Sequence, residues 1–273
     1  MPEGTAASAA GVDAARALRV CALYPDLMNI YADRGNLIVL ERRCAWRGLG
    51  FELTSCGLGE PLPAGHDIYY LGGGQDRDQL LCAADLRERK GEGLHAEAAR
   101  GAIVLGVCGG YQLLGHSYTL GGEKVAGIGL LDVRTVRGEG PRLIGNVAIE
   151  LMPDCEDAVV QARRSARDTH AAAILAGFEN HGGRTTLGPR ARPLGRVLKG
   201  HGNDGESGFE GARADGVIGT YMHGPLLPKN IWFADWLIAR GLGLSPGALA
   251  DLDDELERGA HRGARRAAGI PSG

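Results

Sequence analysis

The sequence predicts an α/β fold, a three-layer arrangement with a mainly parallel central sheet and added short strands. Three observations carry this. Apolar runs alternate with helix-patterned segments through the first half of the chain. The run at 102–107 (AIVLGV) is apolar throughout, the pattern of a strand covered on both faces. Several of these runs end in glycine-rich or polar loops, where open α/β sheets collect their functional residues.

Taken in order, residues 1–16 read as a disordered Ala/Gly-rich leader and 18–24 as the first strand. Asp33 is placed as the N-cap of a helix patterned by Leu37, Ile38, Leu40, Cys44 and Trp46. Strands are expected at 51–54 and 67–71, the latter running into Gly72, Gly73 and Gly74. A charged helix is expected from about Asp76, a second through 95–100, then the strand at 102–107. Residues 126–150 and 174–199 change rhythm to shorter strands with Gly-rich turns, read as added or antiparallel elements. The charged stretch at 154–169 between them reads as a surface insertion. A core-type strand at 217–221 leads into His223, and helix signals resume with Ile231, Phe233, Trp236 and Leu237. This gives one functional domain over 17–243 and a tail over 244–273 whose end is expected to be mobile.

Composition removes some classes. A formal net charge of -3 argues against nucleic acid as a main partner, since phosphate binding needs a basic face. No apolar run reaches the ~18 residues of a membrane span, and the first residues lack a signal-peptide pattern. The six cysteines show no CxxC pair or metal-ligand spacing, so reduced thiols in a cytoplasmic protein without a metal are expected. Five of them read as small hydrophobes. Cys108 is different.

Cys108 lies in Gly106-Val107-Cys108-Gly109-Gly110, after the apolar strand and before a helix-patterned Tyr111-Gln112-Leu113-Leu114. This is G-x-C-x-G at a strand-to-helix junction, the nucleophile-elbow arrangement with Cys for Ser. A nucleophile on so tight a turn takes strained angles, and flanking glycines remove clashes. The helix behind it is expected to lower the thiol pKa, and the Gly109 N–H to face an oxyanion. A second donor is expected from the 72–74 loop, with Gly73 favoured. That loop lacks the dinucleotide and Walker spacings of a phosphate site.

A cysteine hydrolase needs an imidazole to take and return a proton. Of eight histidines, His66, His95, His170 and His261 fall in polar or tail segments, His116 at the far end of the nucleophile helix, and His201 in a Gly-rich loop. His223 follows an apolar strand and precedes Gly224-Pro225, at the expected carboxyl edge of the sheet. His181 sits in the polar cluster GFENHGGRT, expected near the site mouth or a partner surface.

GVCGGYQLLG around Cys108 and GTYMHGP around His223 resemble the class I glutamine amidotransferases of the cobyric acid synthase type. NIYADRGN, YYLGGGQDRDQ, RLIGN, GFENHGGRT and HGPLLPKN, in this order, resemble more narrowly the glutaminase subunits of lipid II isoglutaminyl synthase. The resemblance implies the three-layer amidotransferase fold, Cys108 as nucleophile on the glutamine amide, and His223 as general base and acid. It implies that Arg142, in the RLIGN block, helps hold substrate. Its guanidinium can pair bidentately with an α-carboxylate.

Many class I amidotransferases carry a Glu two residues after the histidine; here Gly224-Pro225 follows. Either the pair acts as a dyad, or Asp33, Glu179 or a partner's residue orients the imidazole. The chain shows no Walker A motif. The resemblance therefore implies a Mur-ligase-like synthetase partner in a heterodimer, carrying the ATP and Mg. That partner would amidate the D-glutamate α-carboxylate of lipid II with ammonia from L-glutamine. Corrinoid amidation, a catalytically silent regulatory module and a cysteine peptidase on a similar fold are the competing readings.

Overall fold

A computed structural model describes residues 16–30, 33–120, 122–167, 172–245 and 247–271. Nearly all of the leader predicted at 1–16, together with His170, lies outside the described residues. The first strand, β1 (Ala17–Leu23), pairs in parallel with β2 (Gly50–Cys56) and with β3 (Ile68–Leu71). β3 pairs in parallel with β4 (Ile103–Val107). Two-residue-period burial is absent from β3 and β4, where every residue is buried, as expected for strands sandwiched between helical layers.

Helix α1 (Arg34–Ala45) connects β1 to β2. Between β3 and β4 run α2 (Asp76–Asp85), a π-helical turn (Leu86–Lys90) and α3 (Gly91–Ala99). The π turn ends at Lys90, whose fully buried ammonium pairs with Asp85 and lies 4.9 Å from the centre of the Tyr24 ring. Helix α4 (Gly109–Leu114) follows β4 directly.

The second half adds two antiparallel-rich sheets. β5 (Ser117–Leu120), β6 (Glu123–Ala126), β7 (Val133–Arg137) and β10 (Gly183–Leu187) form one, in the order β10-β7-β5-β6. β8 (Leu143–Leu151), β9 (Ile174–His181), β11 (Gly195–Lys199) and β12 (Phe209–Glu210) form the other, in the order β12-β11-β8-β9. β9 and β10 are separated by Gly182 alone, so one chain passage joins the two sheets. The stretch expected as a surface insertion contains α5 (Glu156–Ala166), whose Ala158, Gln161 and Ala162 are buried.

β13 (Ala212–Ala214) and β14 (Val217–Thr220) return the chain to the central sheet, completing the order β13-β14-β4-β3-β1-β2. Only β13 runs antiparallel there. Helices α6 (Leu226–Lys229) and α7 (Ile231–Gly241) cover α1, and α8 (Glu255–Ala267) closes the chain.

The tail thus carries order that its composition conceals. Arg43, buried in α1, grips Asp235 of α7 at 2.6 and 2.7 Å and Asp254, at the start of α8, at 2.8 and 3.0 Å. His261 of α8 meets the Lys229 carbonyl at 2.8 Å. Among the described residues no helix is long and apolar enough to cross a membrane, and no group of three or more His, Cys, Asp or Glu is placed to hold a metal ion.

Candidate active site

The parallel register sets the site. Val107 of β4 pairs with Thr220 of β14, and Gly106 with Leu71 of β3. Cys108, the 72–74 loop and His223 therefore leave neighbouring strands at one carboxyl edge. The Cys108 N–H donates to the Thr220 carbonyl at 2.8 Å, a last rung before the chain turns into α4.

Cys108 has φ 52° and ψ -104°, a conformation that costs a non-glycine residue energy and persists only where packing enforces it. The packing is tight. A Cβ on Gly110 would stand 2.4 Å from the Leu71 carbonyl oxygen, and one on Gly106 would stand 2.9 Å from the Gly110 backbone. The glycines of the elbow thus permit β3, β4 and α4 to approach.

Burial pushes the Cys108 thiol up to about 12, and the nearby Asp33 carboxylate adds to the rise. The Gly109 N–H, bonded toward the sulfur, and the Arg142 guanidinium pull the other way. The expected lowering by the helix is overturned. α4 has six residues, and its terminus does not offset removal of the sulfur from water.

His223 is fully buried. Its backbone exchanges hydrogen bonds with Phe178 of β9, at 2.9 and 3.1 Å. Desolvation, then His181, Lys229 and Arg142, lower its pKa to about 4. At neutral pH Cys108 is a thiol and His223 a neutral imidazole.

Arg142 lies beside this pair, since its charge acts on both Cys108 and His223. Its Nε and one terminal nitrogen donate to the Asn180 side-chain and backbone oxygens, both at 2.7 Å. The GFENHGGRT cluster is thereby drawn into the site. Phe178 holds His223, Asn180 holds Arg142, and the His181 ring stacks on Tyr221 with centroids 3.7 Å apart.

The two carboxylates proposed to orient His223 are engaged elsewhere. Glu179 accepts from the His201 and Gly202 amides at 2.6 and 2.9 Å, with His181 Nε2 3.8 Å away. Asp33 does occupy the N-cap position of α1, but its side chain caps nothing. Its Oδ2 accepts the Gly73 N–H at 2.8 Å. Burial raises the Asp33 carboxyl to about 7, the Gly73 bond opposing that rise. The Gly73 amide expected in the oxyanion hole is therefore taken in this structure.

Several residues escaped sequence reasoning. Tyr221 accepts from Gln112 Nε2 at 3.2 Å and shares a 2.6 Å hydrogen bond with Thr185, while Gln112 is held by Gln79 at 2.7 Å. Glu210 accepts from the Tyr221 N–H at 2.6 Å and the Thr220 hydroxyl at 3.0 Å, fixing the strand end that leads to His223. Glu210 lies in a Gly-rich, charged stretch that reads as solvated loop, so nothing local marks it. His66, expected at the surface, is buried against the Thr54 hydroxyl at 2.9 Å.

Comparison with known proteins agrees with this geometry. Residues 19–231 match the CobB/CobQ-like glutamine amidotransferase domain. The chain is 34% identical over 227 residues to the glutamine-hydrolyzing lipid II isoglutaminyl synthase subunit GatD of Streptococcus pneumoniae, covering 82% of this chain and 80% of that protein. It is 34% identical over 241 residues to the subunit of the same name from Staphylococcus aureus, covering 85% and 88%. Cobyric acid synthase of Rhodobacter capsulatus is 37% identical over 195 residues, which are 68% of this chain and 34% of that enzyme. The glutaminase domain of Trypanosoma brucei CTPS shares the fold, with a TM-score of 0.50 at 10% identity over 84% of this chain and 95% of that one. By its domain match and by relatives aligned over most of their length, this chain belongs to the CobB/CobQ-like glutamine amidotransferases and is an enzyme of that family.

Proposed function

We propose that the chain is a glutaminase subunit that hydrolyses L-glutamine through a Cys108 thioester. The ammonia passes to a Mur-ligase-like partner that amidates the D-glutamate α-carboxylate of lipid II. The observation that carries the chemistry is the strained Cys108 on a glycine-packed elbow, at the same sheet edge as a buried neutral His223. The acceptor is carried by similarity to the two GatD subunits.

In this reading Arg142 takes the α-carboxylate of glutamine and sets its side-chain amide against Cys108. His223 removes the thiol proton as sulfur bonds to the amide carbon, and the oxyanion forms opposite the Gly109 N–H. The tetrahedral adduct collapses, the C–N bond breaks, and His223 returns the proton to the departing ammonia. Water, deprotonated by His223, then splits the thioester to glutamate and restores the thiol.

Ammonia released into water would be protonated, so a bound partner with a sheltered route is part of the proposal. ATP and Mg belong to that partner and to its acceptor activation. The heterodimer is placed in the cytoplasm, acting on a membrane-anchored acceptor. Corrinoid amidation is the weaker reading, because the two GatD subunits match 82% and 85% of this chain and the cobyric acid synthase 68%.

The test is release of glutamate and ammonia from glutamine, wild type beside Cys108→Ala, with and without a Mur-ligase-like subunit. Loss of release in the variant supports the cysteine mechanism. Release that survives Cys108→Ala rejects it. Lipid II amidation with glutamine as nitrogen source by the complex alone supports the acceptor, and its absence with an active glutaminase rejects that part.

A further inference from the structure

Asp33 is fully buried, and among the described residues no cation pairs with its carboxyl. Its Oδ2 accepts the Gly73 N–H at 2.8 Å, and its Oδ1 finds no hydrogen-bond partner among the described residues. The loop it holds abuts the elbow: a Cβ on Gly109 would stand 3.1 Å from the Gly74 nitrogen, and one on Gly73 would stand 3.1 Å from Asp33 Oδ2. A buried carboxylate with one idle oxygen is costly, and such groups persist where they serve a task.

We propose that Asp33 is a positioning residue that holds the free chain in an unreactive state, taking the Gly73 N–H away from the oxyanion hole and setting a negative charge beside the Cys108 thiol. Its withdrawal from Gly73 switches hydrolysis on. This rests on the Cys108 reading given above. Two consequences act in the same direction. An oxyanion hole with one donor diverted stabilises the tetrahedral adduct less. A carboxylate near the sulfur opposes formation of the thiolate.

The groups whose charges bear on the thiol are Asp33, Arg142 and Tyr221; Tyr70 and Cys108 face the Asp33 carboxylate, Tyr70 also donating to the Asp33 backbone carbonyl at 3.2 Å. Arg142 and Tyr221 are unchanged by substitution at Asp33, so a shift in thiol titration on that substitution reports the carboxylate itself.

The experiment uses the full chain and two variants, Asp33→Ala and Asp33→Asn. Asparagine keeps an oxygen for the Gly73 N–H and removes the charge; alanine removes both. Alkylation of Cys108 by iodoacetamide, followed on its own peptide by mass spectrometry across pH, is expected to shift down by about one pH unit in both variants. Glutamate release by the free chain is expected to rise about tenfold in kcat for Asp33→Ala at unchanged KM, and by less for Asp33→Asn.

An unchanged alkylation profile in the folded Asn variant overturns the proposal, whatever the hydrolysis rates. A kcat for Asp33→Ala at or below wild type also overturns it, since it would make Asp33 a support for the site. Should the alanine variant not fold, the alkylation profile of the asparagine variant decides. Adding Cys108→Ala to Asp33→Ala separates this from the underlying reading: release that persists would reject the thioester chemistry, and the Asp33 proposal falls only on its own two readouts.

Discussion

Phe178 and His223 exchange both backbone hydrogen bonds, at 3.1 and 2.9 Å, so the histidine is held as one further rung on β9. The same strand carries Asn180, which binds Arg142 through two oxygens. One strand of an added sheet thus holds both His223 and Arg142, while Cys108 belongs to the central sheet.

Arg142→Lys tests the binding role. Lysine keeps the charge and loses the planar fork that engages Asn180 and would engage a carboxylate. KM for glutamine is expected to rise about tenfold, ~1.4 kcal/mol, with kcat within about twofold. Steady-state hydrolysis with glutamine decides it: a loss confined to kcat would remove Arg142 from substrate binding.

The acid limb of hydrolysis reports His223. Its pKa is lowered to about 4, so the base is already neutral at mildly acidic pH and activity is lost only as pH falls through that value. The loss of kcat/KM on acidification is expected only below about pH 5. An acid limb near 6.5, the ordinary histidine value, would show that desolvation does not govern this imidazole.

Glu210 gives a stability signature of opposite sign. Burial raises its carboxyl from 4.5 to about 8, so between those values the folded chain holds a proton that the unfolded chain has lost. Its share of stability is therefore full below 4.5 and declines as pH rises toward 8, by an order of 3–5 kcal/mol. Urea unfolding of wild type and Glu210→Gln at several pH values isolates it. The wild-type stability minus that of the variant should fall with rising pH; a difference independent of pH would count against the raised carboxyl.

Arg43→Met should expose how the carboxyl-terminal segment is fastened. It removes the buried cation shared by Asp235 and Asp254, leaving Asp235 its Arg47 partner at 2.8 Å, and breaking such a cluster from one side costs roughly 3–5 kcal/mol. Denaturant melts would show the loss, and hydrogen exchange should show α8 opening with it. A variant as stable as wild type would mean that the cluster adds nothing.

The sequence by itself determined the alternation of strands and helices, the elbow around Cys108 and the place of His223 at a strand end. These follow from local pattern: apolar runs, glycine punctuation and a nucleophile in a turn that only tight packing tolerates. The N-cap position of Asp33 was legible for the same reason, but the destination of its side chain was not, because Gly73 is 40 residues away. Tertiary structure decided the rest. It sent Asp33 to the Gly73 amide, Glu179 to the 201–202 loop, and Glu210 under the strand leading to His223. It also raised the thiol that a helix terminus was expected to lower. Hydrogen-bond partners and desolvation depend on what the whole chain packs around a group, and no local spacing encodes that.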